Sequence, residues 1–95
     1  MIGSWKNQAS RRIWEGTATN RFRGMDVAAA EDMLAALNAA KNLSDLGALK
    51  STGLHKLKGA RRGQWAITVN DRWRICFVFK NGDALDVEIT DYHTG

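Results

Sequence analysis

The spacing of apolar residues along this chain changes near Gly63, from a helical rhythm before it to an alternating one after it. In residues 26–43, "DVAAAEDMLAALNAAKNL", Val27, Ala30, Leu34 and Leu37 recur at helical spacing. Asp26 stands where an N-cap belongs, Glu31 and Asp32 lie early, and Lys41 lies late, as the helix dipole favours. "KNQASRRIWEG" is the second helical stretch, with Ala9, Ile13 and Trp14 on one face and Gly16 as the stop. "SDLGALKSTG" allows one more turn, capped by Ser44, before residues 51–53 open a loop. The opening "MIGSW" reads as a short strand burying Ile2 and Trp5.

Beyond Gly63, "GQWAITV", "RWRICFVF" and "DALDVEIT" alternate and are rich in β-branched and aromatic residues. Asn70-Asp71 and Asn81-Gly82 separate them, and Asn-Gly is a strong two-residue hairpin signal. The expected class is α+β: a short first strand and two main helices against an antiparallel sheet whose last three strands form a meander. Residues 1–95 read as a single domain.

Two-residue turns at both breaks would pair Lys80 with Asp83, Cys76 with Val87, Arg74 with Ile89, Val69 with Arg72 and Ile67 with Arg74. One face would then gather Trp65, Ile67, Val69, Cys76, Val78, Leu85, Val87 and Ile89, with Arg72, Arg74 and Asp91 at one end. The other face would carry Trp73, Ile75, Phe77 and Phe79, which makes the middle strand central. In that register Asp91 lies diagonally beside Arg74, and the tail brings His93 to the same place. An arginine in an apolar stripe needs such a partner.

Composition narrows the class. Hydrophobic residues at 44% and charged residues at 25% suit a soluble globular domain, with neither a membrane-length apolar run nor a signal-peptide layout. A lone Cys76 in a strand pattern reads as a reduced core thiol in a cytoplasmic protein. One cysteine and two histidines supply too few ligands for a structural metal, so no metal and no cofactor are expected. Net charge is +4, distributed as +4, −3, +6 and −3 over residues 1–23, 24–49, 50–74 and 75–95. Such concentration of positive charge favours a polyanionic partner bound through phosphates.

The densest segment holds "LHKLKGARRG", and the chain closes on "EITDYHTG". Together they offer His55, Lys58, Arg74, Asp91, Tyr92 and His93 as a candidate catalytic set, with Lys56, Arg61, Arg62 and Arg72 as candidate RNA contacts. There is neither a Ser–His–Asp order nor a Gly-rich phosphate loop. Histidines, fixed cations, a carboxylate and a tyrosine suit metal-free RNA cleavage. One group deprotonates the ribose 2′-OH, cations stabilise the phosphoryl oxygens, and an acid protonates the leaving 5′-oxygen. Each residue also has a plainer role open to it: His55 as a polar loop residue, Arg74 with Asp91 as a structural ion pair, Tyr92 as cover for the core's edge.

"LHKLKG…GQWAITVNDRWRICFVFKNGDALDVEITDYH" resembles the HigB-like branch of the RelE/ParE toxin superfamily, bacterial toxins of type II toxin–antitoxin systems. The opening "MIGSWK" and the chain length are also similar to that family, and the LHxLKG loop, "WRICF" and the DYH near the end are its most specific parts. The resemblance implies two helices on a curved antiparallel sheet and a metal-free mRNA endonuclease acting in the ribosomal A site. It implies a HigA-like helix-turn-helix antitoxin, the ribosome and mRNA as partners. By matching positions, Lys58 and Arg74 would stabilise charge. Asp91 and His93 would transfer protons with help from His55, and Tyr92 would orient base or phosphate. Two departures are small: Thr94 and Gly95 follow the DYH, and Lys56 fills a variable position of the loop. A ParE-like gyrase inhibitor on the same fold, or a plain RNA-binding module, are the alternatives.

Overall fold

The computed structural model describes residues 1–17, 21–49 and 52–91. Among them, helices α1 (Gln8–Trp14), α2 (Val27–Ala39) and α3 (Leu43–Gly47) precede strands β1 (His55–Lys56), β2 (Trp65–Asn70), β3 (Trp73–Lys80) and β4 (Asp83–Asp91). The strands form one antiparallel sheet in sequence order, and a 3-10 turn, Gly59–Arg61, lies between β1 and β2. The expected α+β architecture is present, with β1 as an extra edge strand inside what reads as a basic loop. The N-terminal segment runs parallel to the outer edge of β4, bridging at Ile2–Ala84 and Trp5–Val87. No helix among the described residues is long and apolar enough to cross a membrane.

Helix boundaries follow side-chain caps. Asp26 accepts from Ala29 N at 3.0 Å, as its position suggests. Helix α2 stops at Ala39 rather than running to Leu43, because Asn42 and Asp45 form a reciprocal capping box that starts α3. Asn42, and not Ser44, is that cap; Ser44 sits inside the helix and donates to the Asn42 side chain. Trp14 is 38% exposed instead of sharing the buried face of Ile13. One residue turns a helix by about 100°, which carries Trp14 off that face.

One face of the sheet takes the helices. Ile13, Ala30, Leu34, Leu37 and Leu46 pack on Ile67, Trp73, Ile75, Phe77, Val87 and Ile89. Burial of that many large side chains, each contributing about 2 kcal/mol, drives the fold. A second, smaller cluster of Leu57, Ala66 and Cys76 lies on the opposite face.

The register departs from simple alternation in two places. Asn81-Gly82 is the expected turn, with φ of 53° and 83° and Lys80 opposite Asp83. A bulge at Asp86, φ 52°, then moves the pairing by one residue. Cys76 faces Glu88 rather than Val87, and Arg74 faces Thr90 rather than Ile89. The N-terminal segment holds this bulge, since Ser4 Oγ accepts from Asp86 N at 2.8 Å.

The other turn is Asp71-Arg72, not Asn70-Asp71. Asn70 stays in the strand because its side chain accepts from Asp26 N at 2.8 Å and donates to Gly24 O at 3.2 Å. A bulge between Thr68 and Asn70 absorbs the difference, so Ile67 pairs with Ile75 and Thr68 with Arg74. The expected grouping of faces is corrected accordingly. Ile67, Val87 and Ile89 join Trp73, Ile75 and Phe77 under the helices, while Arg74 and Cys76 stand on the opposite face with Ala66.

Candidate active site

The face turned away from the helices gathers the groups of interest. Antiparallel partners point to the same side, which makes His55, Ala66, Cys76 and Glu88 one row and Thr68, Arg74 and Thr90 the next. His55 and Arg74 are therefore about 12 Å apart at Cα from strand spacing and rise, within joint reach of one phosphodiester through their side chains.

The chain before His55 is fixed from below. Thr52 is buried, and its Oγ1 lies 2.9 Å from both Leu46 O and Leu49 O, tying the loop to α3. Gly53 follows at φ 55°, and a Cβ there would lie 2.8 Å from Thr68 Oγ1. Only glycine lets the loop lie this flat on β2. His55 itself is exposed, with Nδ1 3.4 Å from Gly53 O. When Nδ1 carries the proton, Nε2 is the basic nitrogen.

Lys58 precedes the 3-10 turn and is exposed, as are Lys56 and Arg62. Arg74 is half-buried, and its Nη1 donates to Asp71 O and, at 3.0 Å, to Trp73 O. Those carbonyls set the direction of the guanidinium over the sheet's end.

Arg61 is engaged within the fold. Its Nη1 lies 3.1 Å from Glu88 Oε1 and 3.1 Å from Gln64 Oε1. Glu88 was not among the residues singled out from the sequence; its only signal there is a charge inside the apolar alternation of "DVEIT". Beneath these groups Cys76 is buried, and its thiol is pushed up from 9.0 to about 11. Burial is the main cause; Arg61 opposes it, Glu88 adds to it, and Arg74 opposes it. The thiol stays protonated and is no nucleophile.

Asp91 departs from the expected arrangement. It pairs with Trp73, on the helix-bearing side, and its Oδ2 lies 3.0 Å from Nε of Arg72, not beside Arg74. The bulge at Asp86 is the reason, since one extra residue sends the end of β4 to the other face. Tyr92 and His93 lie outside the described residues.

A helical layer on one side of an antiparallel meander, with basic groups and a histidine on the other, fits the RelE-like toxins. A profile of the family described as RelE-like toxin of type II toxin-antitoxin system HigB matches residues 4–93. The chain is also 39% identical over 93 residues to Endoribonuclease HigB of Proteus vulgaris, covering 98% of this chain and 100% of that protein. The chain belongs to the HigB-like family of RelE-type toxins. Membership implies a cognate antitoxin as its protein partner.

Proposed function

We propose that this toxin is an endoribonuclease that cuts mRNA during translation, in the ribosomal A site, by attack of the ribose 2′-OH. The observation that carries the reading is the placement of His55 and Arg74 on adjacent rows of the one sheet face that the helices leave uncovered. The named activity of the Proteus vulgaris relative supports it.

In this reading a histidine takes the 2′-OH proton, and the 2′-oxygen attacks phosphorus. The bond from phosphorus to the 5′-oxygen breaks, and a protonated group returns a proton to that oxygen, leaving a cyclic 2′,3′-phosphate and a 5′-OH. Arg74 and Lys58 stabilise the phosphoryl oxygens as negative charge builds there. His55 and His93 share the proton transfers, and Tyr92 orients the nucleotide. His93 and Tyr92 enter through the family likeness alone. Asp91, paired with Arg72, serves to anchor the start of the tail. Lys56, Arg62 and Arg72 contact ribosomal RNA, and a HigA-like helix-turn-helix antitoxin restrains the toxin.

The test is to map mRNA 5′ ends in a cell-free translation reaction, with and without ribosomes, using the wild type, His55→Ala, Arg74→Ala and His93→Ala. Cuts that require ribosomes and vanish in the variants are expected. An intact message in all reactions, with inhibited gyrase, would replace this reading by a ParE-like one.

A further inference from the structure

We infer that Glu88 is a positioning residue of the candidate active site, acting through Arg61 to hold the loop 57–64, and with it Lys58 and His55, in place over the sheet. The inference rests on reading that face as the active site.

The loop leaves β1 and returns as β2, so its own backbone closes it only locally. Leu57 N donates to Gln64 O at 2.9 Å, Arg62 N to Gly59 O at 3.1 Å and Gln64 N to Arg61 O at 3.0 Å. Its apolar anchor on the sheet is Leu57, buried against Ala66 and Cys76 near the β1 edge. Beyond that, Arg61 reaches across β2 and β3 to Glu88 on β4. Both side chains are largely shielded, 29% and 20% exposed, and Gln64 Oε1 accepts a second bond from the same Nη1.

A shielded ion pair contributes little net stability, because desolvation offsets most of the attraction. Its effect here is directional. The pair fixes which way Arg61 points and how far the loop leans over the row of Cys76 and Glu88, beside the row that carries Arg74. Without Glu88, Arg61 keeps only its bond to Gln64 and becomes a second, loosely held cation on the same sheet face as Arg74. A phosphate would then be shared between two guanidinium groups and drawn off the line that the 2′-OH requires.

The test uses full-length toxin programmed with ribosomes and a defined message, under single-turnover conditions. Glu88→Gln, which keeps the shape and removes the charge, should slow cleavage by about 10- to 100-fold while leaving the affinity for ribosomes unchanged or tighter. The charge-swapped pair Arg61→Glu with Glu88→Arg should recover most of that loss, and a Glu88 that acted other than through Arg61 would not give that recovery. Hydrogen exchange at the Leu57 amide should quicken in Glu88→Gln and return toward wild type in the swapped pair. Cleavage by Glu88→Gln at the wild-type rate, or unchanged exchange at Leu57, would overturn the inference. A wild-type protein that cuts nothing defeats the active-site reading instead, and Leu57 exchange then still decides whether Glu88 holds the loop.

Discussion

Arg72 Nε lies 3.0 Å from Oδ2 of Asp91, joining the β2–β3 turn to the last described residue of β4. The side chain of Arg72 is 58% exposed, and a pair so open to water is screened. Arg72→Ala should therefore cost only about 0.5 kcal/mol, a fall in Tm of about 2–4 °C for a domain of this size. Thermal unfolding checks this. A loss several times larger would mean that the tail's attachment, and not only an exposed ion pair, depends on Arg72.

Arg74 should behave differently. Its guanidinium touches two carbonyls, Asp71 O and Trp73 O, while the rest of it faces the uncovered side of the sheet. Lysine keeps the charge but cannot hold a planar fork in one direction. Arg74→Lys should lower mRNA cleavage by about 100-fold, the usual result of losing one oriented donor to a charged transition state. Ribosome affinity and Tm should barely move. Rate constants and binding measured side by side decide it, and wild-type cleavage by Arg74→Lys would reduce its role to bulk charge.

Gly53 offers a test of how closely the His55 loop must sit on the sheet. Gly53→Ala puts a methyl group 2.8 Å from Thr68 Oγ1 at a backbone φ of 55°. Strain at that φ costs about 1–2 kcal/mol, and the contact adds to it by lifting the loop. Stability should fall by about 2 kcal/mol in total, and cleavage should fall further than stability explains. Removing the obstructing oxygen in Gly53→Ala with Thr68→Ala should recover the contact's share and leave the φ strain. Denaturant unfolding of the two single variants and the double variant forms the cycle. Strict additivity would show that Gly53 and Thr68 do not press on each other.

Much of the fold was legible because it is local. Helix α2 was visible in its apolar spacing and its Asp26 cap, and the Asn81-Gly82 hairpin in its dipeptide. What escaped was set by partners distant in sequence. The turn moved to Asp71-Arg72 because Asn70 is held by Gly24 and Asp26, and the bulge at Asp86 is fixed by Ser4, at the far end of the chain. Each displacement moves strand pairing by a single residue, which is enough to exchange faces. For that reason Asp91 turns away from the face that His55 and Arg74 share, and Glu88 arrives on that face unannounced. Alternation alone cannot register a bulge that a remote hydroxyl holds in place.

The register that puts Cys76 beneath the candidate site also gives it a measurable signature. The folded protein holds the thiol proton up to about pH 11, against 9.0 for an ordinary thiol, mainly because burial disfavours the thiolate. In the unfolded chain that proton is released first, so between these values the unfolded state binds fewer protons and stability falls as pH rises. The loss is on the order of 2 kcal/mol across the window, and below pH 9 the thiol adds no slope. Lysine and tyrosine titrations overlap this range, so the comparison is with Cys76→Ala. At pH 8 the wild type should be more stable by about 1 kcal/mol from the lost packing, and that advantage should vanish or reverse by pH 11. Urea unfolding at steps between those values reads it directly, with the native thiol unreactive toward an alkylating reagent at pH 8. A stability gap that stays constant with pH would show that Cys76 ionises as freely in the folded protein as in the unfolded one, and that the sheet face above it is wetter than its packing implies.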